Sequence, residues 1–201
     1  MDGLETSPVM LDPSQAPGAP PMSRIPALLA TLAVAAGLAV TVSAPAYADD
    51  RRCTGTIRTA SIDGDIYVPR GATCTLVGTR VDGNVKVYAN ATLVARGIKV
   101  DGNIQADNHK RVRILPRTLA DGRLSRTTVG GNIQFKQGGG GEVRRTRTDG
   151  DIQLFTNNDG GKFAVYGNRV GGNLQCKSNT PRPVGANNVV QGNKEGQCRG
   201  F

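Results

Sequence analysis

Apolar and polar positions alternate with a period of two along this chain. Tight-turn residues break the alternation at short intervals, and the broken pattern itself repeats. Asn84-Val85-Lys86-Val87-Tyr88 alternates and Ala89-Asn90-Ala91 turns. Thr92-Leu93-Val94-Ala95 is a second β-prone piece, followed by a turn at Arg96-Gly97. Ile98-Lys99-Val100 alternates once more, and Asp101-Gly102 closes the circuit. Three short strands and three tight turns between Gly83 and Gly102 predict one triangular coil of a parallel β-helix. Val85, Val87, Leu93, Ile98 and Val100 are expected to point inward. No heptad or helical stripe occurs after residue 48, which argues against amphipathic helices.

The closing phrase, Gly-Asn/Asp followed by a mostly aliphatic residue, occurs seven times. The copies begin at Gly64, Gly83, Gly102, Gly131, Gly150, Gly172 and Gly192, with steps of 19, 19, 29, 19, 22 and 20 residues. A period near 20 is the signature of a solenoid, in which each repeat buries its apolar side against its neighbours. The expectation is an all-β, single-domain parallel β-helix over residues 49–201, with about seven triangular rungs. Ile62 and Ile66, Val81 and Val85, Val100 and Ile104, Val129 and Ile133, and Val170 and Leu174 straddle the turn alike. Stacked, they form aliphatic columns, each buried side chain stabilising by about 1.5–3 kcal/mol relative to exposure.

The phrase glycines are expected at positive φ, where the missing Cβ removes a steric penalty. The next residues, Asp65, Asn84, Asn103, Asn132, Asp151, Asn173 and Asn193, are expected to form a structural ladder bonded from coil to coil. Cys53 and Cys74 are 21 residues apart, and Cys176 and Cys198 are 22 apart. Each pair spans about one turn, so its members fall on adjacent rungs about 4.8 Å apart. That spacing suits a disulfide, whose Cα atoms stand roughly 4.4–6.8 Å apart. Two staples, Cys53–Cys74 and Cys176–Cys198, one at each end, are the expected pairing.

The first 48 residues stand outside the repeat. Residues 1–21 are rich in Pro, Ala and Ser and read as a disordered extension. Residues 22–48 read as a signal peptide: Arg24, an apolar run from Ala27 to Val42, then Ala46-Tyr47-Ala48 as a small-x-small cleavage pattern. The run falls short of the roughly 20 residues a membrane span requires. Met22 is an alternative start. The expected location is extracellular, with no membrane span after cleavage. The even cysteine count suits that compartment.

Cleavage after Ala48 leaves 24 basic against 13 acidic residues, or +11. The charge favours anionic partners. Two basic clusters supply candidate polymer-binding residues. The 29-residue step contains an insertion within residues 107–128, which carries His109, Lys110, Arg111, Arg113, Arg117, Arg123 and Arg126. Arg144, Arg145 and Arg147 follow Gly138-Gly139-Gly140-Gly141, read as a flexible run. Insertions in solenoids leave as loops on one face, often the binding face. No Trp is present and Tyr and Phe total eight, which disfavours nucleic acid and stacked-sugar clefts. The glycine run lacks a following Lys-Ser/Thr, so no phosphate loop is read and no cofactor is expected.

Asp63, Asp82, Asp101 and Asp149 precede their repeat glycines. Asp-Gly is a good turn former, and turn formation is the favoured reading. The first three fall on consecutive rungs, which also makes Asp63, Asp82 and Asp101 a Ca²⁺ candidate. Stacked carboxylates are also the equipment of polysaccharide lyases and hydrolases, and this is the rival enzymatic reading.

Certain segments carry a resemblance. They are Cys53-Thr54-Gly55, Val68-Pro69-Arg70-Gly71-Ala72-Thr73-Cys74, the Gly-Asn-aliphatic phrases, and the tail from Leu174-Gln175-Cys176 through Gln191-Gly192-Asn193 to Cys198. With them the chain resembles an uncharacterised family of small secreted actinobacterial β-helix proteins. Its architecture is similar to pectate-lyase-like β-helices, a likeness that transfers no activity. The resemblance implies the fold and export but no catalytic residues. The functional expectation is a secreted, monomeric, non-catalytic module docking on an anionic polysaccharide or cell-envelope polymer.

Overall fold

The computed structural model describes residues 50–201. The expected extension (1–21) and signal peptide (22–48) lie outside the described residues. Three parallel sheets run side by side along one axis. The first has eight strands, from Arg51–Arg52 to Lys194–Gly196. The second has seven, from Thr56–Arg58 to Val184–Ala186, and the third has seven, from Ser61–Ile62 to Val189–Val190. Successive turns of the chain visit the sheets in the order first, second, third. The fold is a β-solenoid of about eight turns, one more than the seven phrases count.

The uncounted turn is the first. Arg51 pairs with Ile66 and Arg52 with Tyr67, so Asp50-Arg51 occupies the Asx-aliphatic slot with an arginine in the aliphatic place. A coil at the open end has one neighbour, so an inward aliphatic residue is not required there.

The core is a set of stacked columns. Ile66, Val85, Ile104, Ile133, Ile152 and Leu174 are in register on the first sheet and buried. Ile62, Val81, Val100, Val129 and Val170 line the third sheet. Thr148 interrupts this last column, and its hydroxyl donates to the Gly131 carbonyl at 2.6 Å. Val85, Val87, Leu93, Ile98 and Val100 are all buried. The ends are stapled by Cys53–Cys74, with Cα atoms 5.4 Å apart, and Cys176–Cys198, with Cα atoms 5.3 Å apart.

The phrase glycines are not at positive φ, and the structure corrects that expectation. The left-handed glycines include Gly71, Gly78, Gly97 and Gly167, which lie at the other two corners with Asn90, Asn108, Arg145 and Asn187. At the phrase corner the constraint is a close approach between coils. A Cβ on Gly102 would stand 2.7 Å from both the Asn84 Oδ1 and the Gly83 carbonyl of the coil before it. Glycine is required by the contact, not by the dihedral.

The ten-residue excess is confined to a small hairpin. Arg117–Thr118 pairs antiparallel with Leu124–Ser125 around a turn closed by Gly122 N–H to the Leu119 carbonyl at 3.0 Å. Lys110, Arg111 and Arg113, expected in the loop, lie elsewhere. Lys110 immediately precedes the regular second-sheet strand Arg111–Leu115, which contains the two arginines. Their Arg-Val-Arg-Ile alternation continues the coil pattern. Gly138–Gly141 is likewise no flexible run. All four glycines are buried, and Gly140 and Gly141 open the strand Gly140–Arg144.

Candidate functional site

The phrase corner carries an unbroken chain of hydrogen bonds. The backbone N–H of each Asx donates to the side-chain Oδ1 of its counterpart one coil earlier. Asp65 N–H donates to Asp50 (2.9 Å), Asn84 to Asp65 (2.7 Å), Asn103 to Asn84 (2.9 Å) and Asn132 to Asn103 (2.7 Å). Asp151 N–H donates to Asn132 (2.7 Å), Asn173 to Asp151 (2.6 Å) and Asn193 to Asn173 (2.8 Å). Asp and Asn interchange because the step needs an acceptor. Asp65 also accepts the Asn84 amide at 3.0 Å and pairs with Lys86 Nζ at 2.6 Å. Partial burial opposes its ionisation, but Lys86 and the Asn84 donors outweigh that and hold its pKa below the ordinary value.

Two further ladders are buried at the other corners. Asn157 Nδ2 donates to Asn179 Oδ1 at 2.8 Å and to the Phe135 carbonyl at 3.1 Å, and Asn179 Nδ2 donates to Gln197 Oε1 at 2.9 Å. Asn168 Nδ2 donates to Asn188 Oδ1 at 2.9 Å. These groups satisfy corner carbonyls that water cannot reach.

His109 stands in the first of these columns, before Gly138 and Asn157. It is fully buried, against Phe135 (ring centroids 5.5 Å apart) and Phe163 (5.9 Å). Among the described residues neither ring nitrogen has a hydrogen-bond partner. Burial pushes its pKa down to about 4, against a smaller opposing pull from the Ala106 carbonyl and from Asp107 and Asp159. The residue is a neutral core ring, not part of a basic loop.

Three of the four carboxylates in the acidic column, Asp82, Asp101 and Asp149, are paired with cations of their own sheet. Arg80 bridges Asp82 (2.8 Å) and Asp101 (2.7 Å), and Lys99 pairs with Asp101 at 3.1 Å. Arg147 pairs with Asp149 at 3.2 Å. Asp63 is exposed near the first coil. Among the described residues no cluster of three or more His, Cys, Asp or Glu is placed to hold a metal ion.

The basic candidates separate. Lys110 and Arg111 stand at the start of the second-sheet strand, away from the hairpin. Arg117 lies back over Gly78 and Gly97 of earlier coils. Arg147 is on the third sheet. Arg113 and Arg144 converge on Glu142, at 2.9 and 2.8 Å. Partial burial works against ionising Glu142, but the two guanidinium groups hold its pKa below the ordinary value. Arg144 also lies over the Tyr166 ring, 4.9 Å from its centroid. Arg144, Arg145 and Tyr166 then meet Leu124 and Arg126 of the hairpin across an open groove of about 510 Å³, floored by Gly167 and Asn187. Three guanidinium groups line this groove and no carboxylate does. Neither Arg126 nor Arg145 forms an ion pair among the described residues. Sequence reasoning missed Tyr166 as a partner of Arg144. Their adjacency comes from the 22-residue step that puts Tyr166 beside Arg144 on the next strand.

Fold and site together define a disulfide-stapled parallel β-solenoid with a basic groove at one corner. The chain matches no protein-family model, no curated protein and no solved structure.

Proposed function

We propose that this protein is a secreted, monomeric, non-catalytic module that docks on an anionic extracellular or cell-envelope polymer through the hairpin groove. The observation that carries this reading is the convergence of Arg126, Arg144 and Arg145 beside Tyr166 with no lining carboxylate. Guanidinium groups recognise carboxylate and phosphate with paired hydrogen bonds, and an aromatic face adds apolar contact. The two disulfides suit an oxidising compartment. Among the described residues no helix is long and apolar enough to cross a membrane.

The test is retention of residues 49–201 on an immobilised polyanion as salt rises. Strong retention at low salt, weakened in Arg126→Gln/Arg145→Gln, is expected. Retention that is independent of salt, or unchanged in that double variant, overturns the reading.

A further inference from the structure

Three neighbouring strands of the first sheet each present two outward residues in register. They are Gln134 and Lys136, Gln153 and Phe155, and Gln175 and Lys177. The inward residues between them are buried, and these six are partly or fully exposed. The amides form a ladder: Gln134 Nε2 donates to Gln153 Oε1, Gln153 Nε2 to Gln175 Oε1 (3.0 Å), and Gln175 Nε2 to Glu195 Oε2 (3.0 Å). Gln153 Nε2 also donates to Asp151 Oδ2 at 3.2 Å. The amides are therefore held in fixed orientations. Gln134 and Gln175 each keep a second N–H, and the ladder carbonyls keep a second lone pair.

In the parallel column Phe155 lies between Lys136 and Lys177. Neither lysine forms an ion pair among the described residues, although Asp107 is next to Lys136 in register. The two lysines are two strand spacings apart, about 10 Å.

We propose that this array is a binding track for an extended β-1,4-linked polyuronate running along the solenoid axis. Such a chain has a two-fold screw, so alternate sugars carry their carboxylates on the same side. The two-sugar repeat is close to the separation of the lysines. One pyranose ring lies on Phe155, its two neighbours offer carboxylates to Lys136 and Lys177, and the ring hydroxyls meet the amide ladder. Aromatic face, cations and ordered amides together match this ligand, and the chemistry is one of binding without bond cleavage. The track lies on a different sheet from the hairpin groove and rests on separate residues. With both sites occupied, one rigid module links two polymer chains.

The experiment is calorimetric titration with β-1,4-linked hexaglucuronate, using groove-disabled Arg126→Gln/Arg145→Gln protein. One hexamer per molecule is expected to bind. Adding Lys136→Gln and Lys177→Gln is expected to weaken it about tenfold. Cellohexaose, which lacks the carboxylates, and α-1,4-linked hexagalacturonate, whose axial linkages space its carboxylates differently, are expected to bind more weakly. The lysines are surface residues, so melting temperature should be unchanged; Phe155→Ala provides a second variant acting on the ring contact. No binding by the groove-disabled protein, or equal binding of all three hexamers, overturns the track. If wild-type protein still binds polyanion through the groove, the groove reading survives the loss of the track. If the lysine variant alone abolishes all polyanion retention, the groove reading fails and the track stands.

Discussion

The imidazole of His109 occupies the volume that a Cβ on Gly138 would need; such an atom would come within 2.8 Å of the ring Cγ and closer still to Nδ1 and Cε1. Gly138 is therefore the complement of the histidine, one coil later in the same corner column. Gly141 makes similar room, since its Cβ would stand 2.8 Å from Phe163 Cε1. Gly138 and Gly141 thus leave room for His109 and Phe163, whereas Gly139 and Gly140 are required by the close approach of backbone in the neighbouring coils.

Gly138→Ala is expected to destabilise the protein by about 1–3 kcal/mol, the usual range for overpacking a tight core. His109→Ala alone leaves a cavity and is destabilising as well. The double variant should be more stable than the two losses added together predict, because the new methyl enters the vacated space. Urea denaturation of the four proteins measures the coupling, and strict additivity would contradict the contact.

His109 also sets a pH dependence. Its pKa is about 4 in the folded protein, against about 6.5 when unfolded, so between these values the unfolded chain binds more protons. The contribution is complete above pH 6.5 and falls as pH drops toward 4, by about 3 kcal/mol in all. Asp107 and Asp159 oppose the fall by favouring the charged ring. In His109→Leu this part of the slope should vanish, while the carboxylate contributions of Asp65 and Glu142 remain. Stability measured from pH 7 to pH 4 in both proteins decides the point.

In the Asx ladder the indispensable atom is an acceptor. Asn103→Ala removes the partner of the Asn132 N–H and is expected to cost about 1–3 kcal/mol. Asn103→Asp keeps that acceptor and loses the amide bond to Asn84 Oδ1, so its stability should fall in between. Thermal unfolding of the pair gives the order, and equal losses would remove the distinction.

The staples act at the ends. Each closes a loop of about 20 residues, for which the chain-entropy account gives roughly 3 kcal/mol. Replacing Cys53 and Cys74 by Ala is expected to speed amide exchange in the first two coils and leave central strands such as Ile133–Lys136 protected. Uniform loss of protection along the chain would show that the solenoid opens as one unit.

Several features were legible because one residue type recurs at one spacing. Asn84, Asn103 and Asn132 mark their corner directly, and the cysteine separations give the staples. The buried Asn157–Asn179 ladder was harder to see, since the same column holds His109 and Gly138 in earlier coils. The first coil stayed hidden because Arg51 stands where later coils have an aliphatic residue. The role of the phrase glycines was misread because positive φ and close coil contact select the same residue. Counting gave the size of the insertion but not its limits, although the Arg111-Val112-Arg113-Ile114 alternation already placed those residues in a strand. The groove and the glutamine track depend on which outward residues become neighbours after steps of 19, 22 and 29 residues, and uneven steps obscure that.

The hairpin at 117–125 leaves the second-to-third-sheet corner without disturbing the third sheet beyond it: Lys99 still pairs with Thr128, and Val100 with Val129. Extra chain can thus exit and re-enter at this edge while the layers on either side keep their register. The corner is a natural port for grafted peptides, whose length and chemistry could be varied on a scaffold that does not have to be redesigned to carry them.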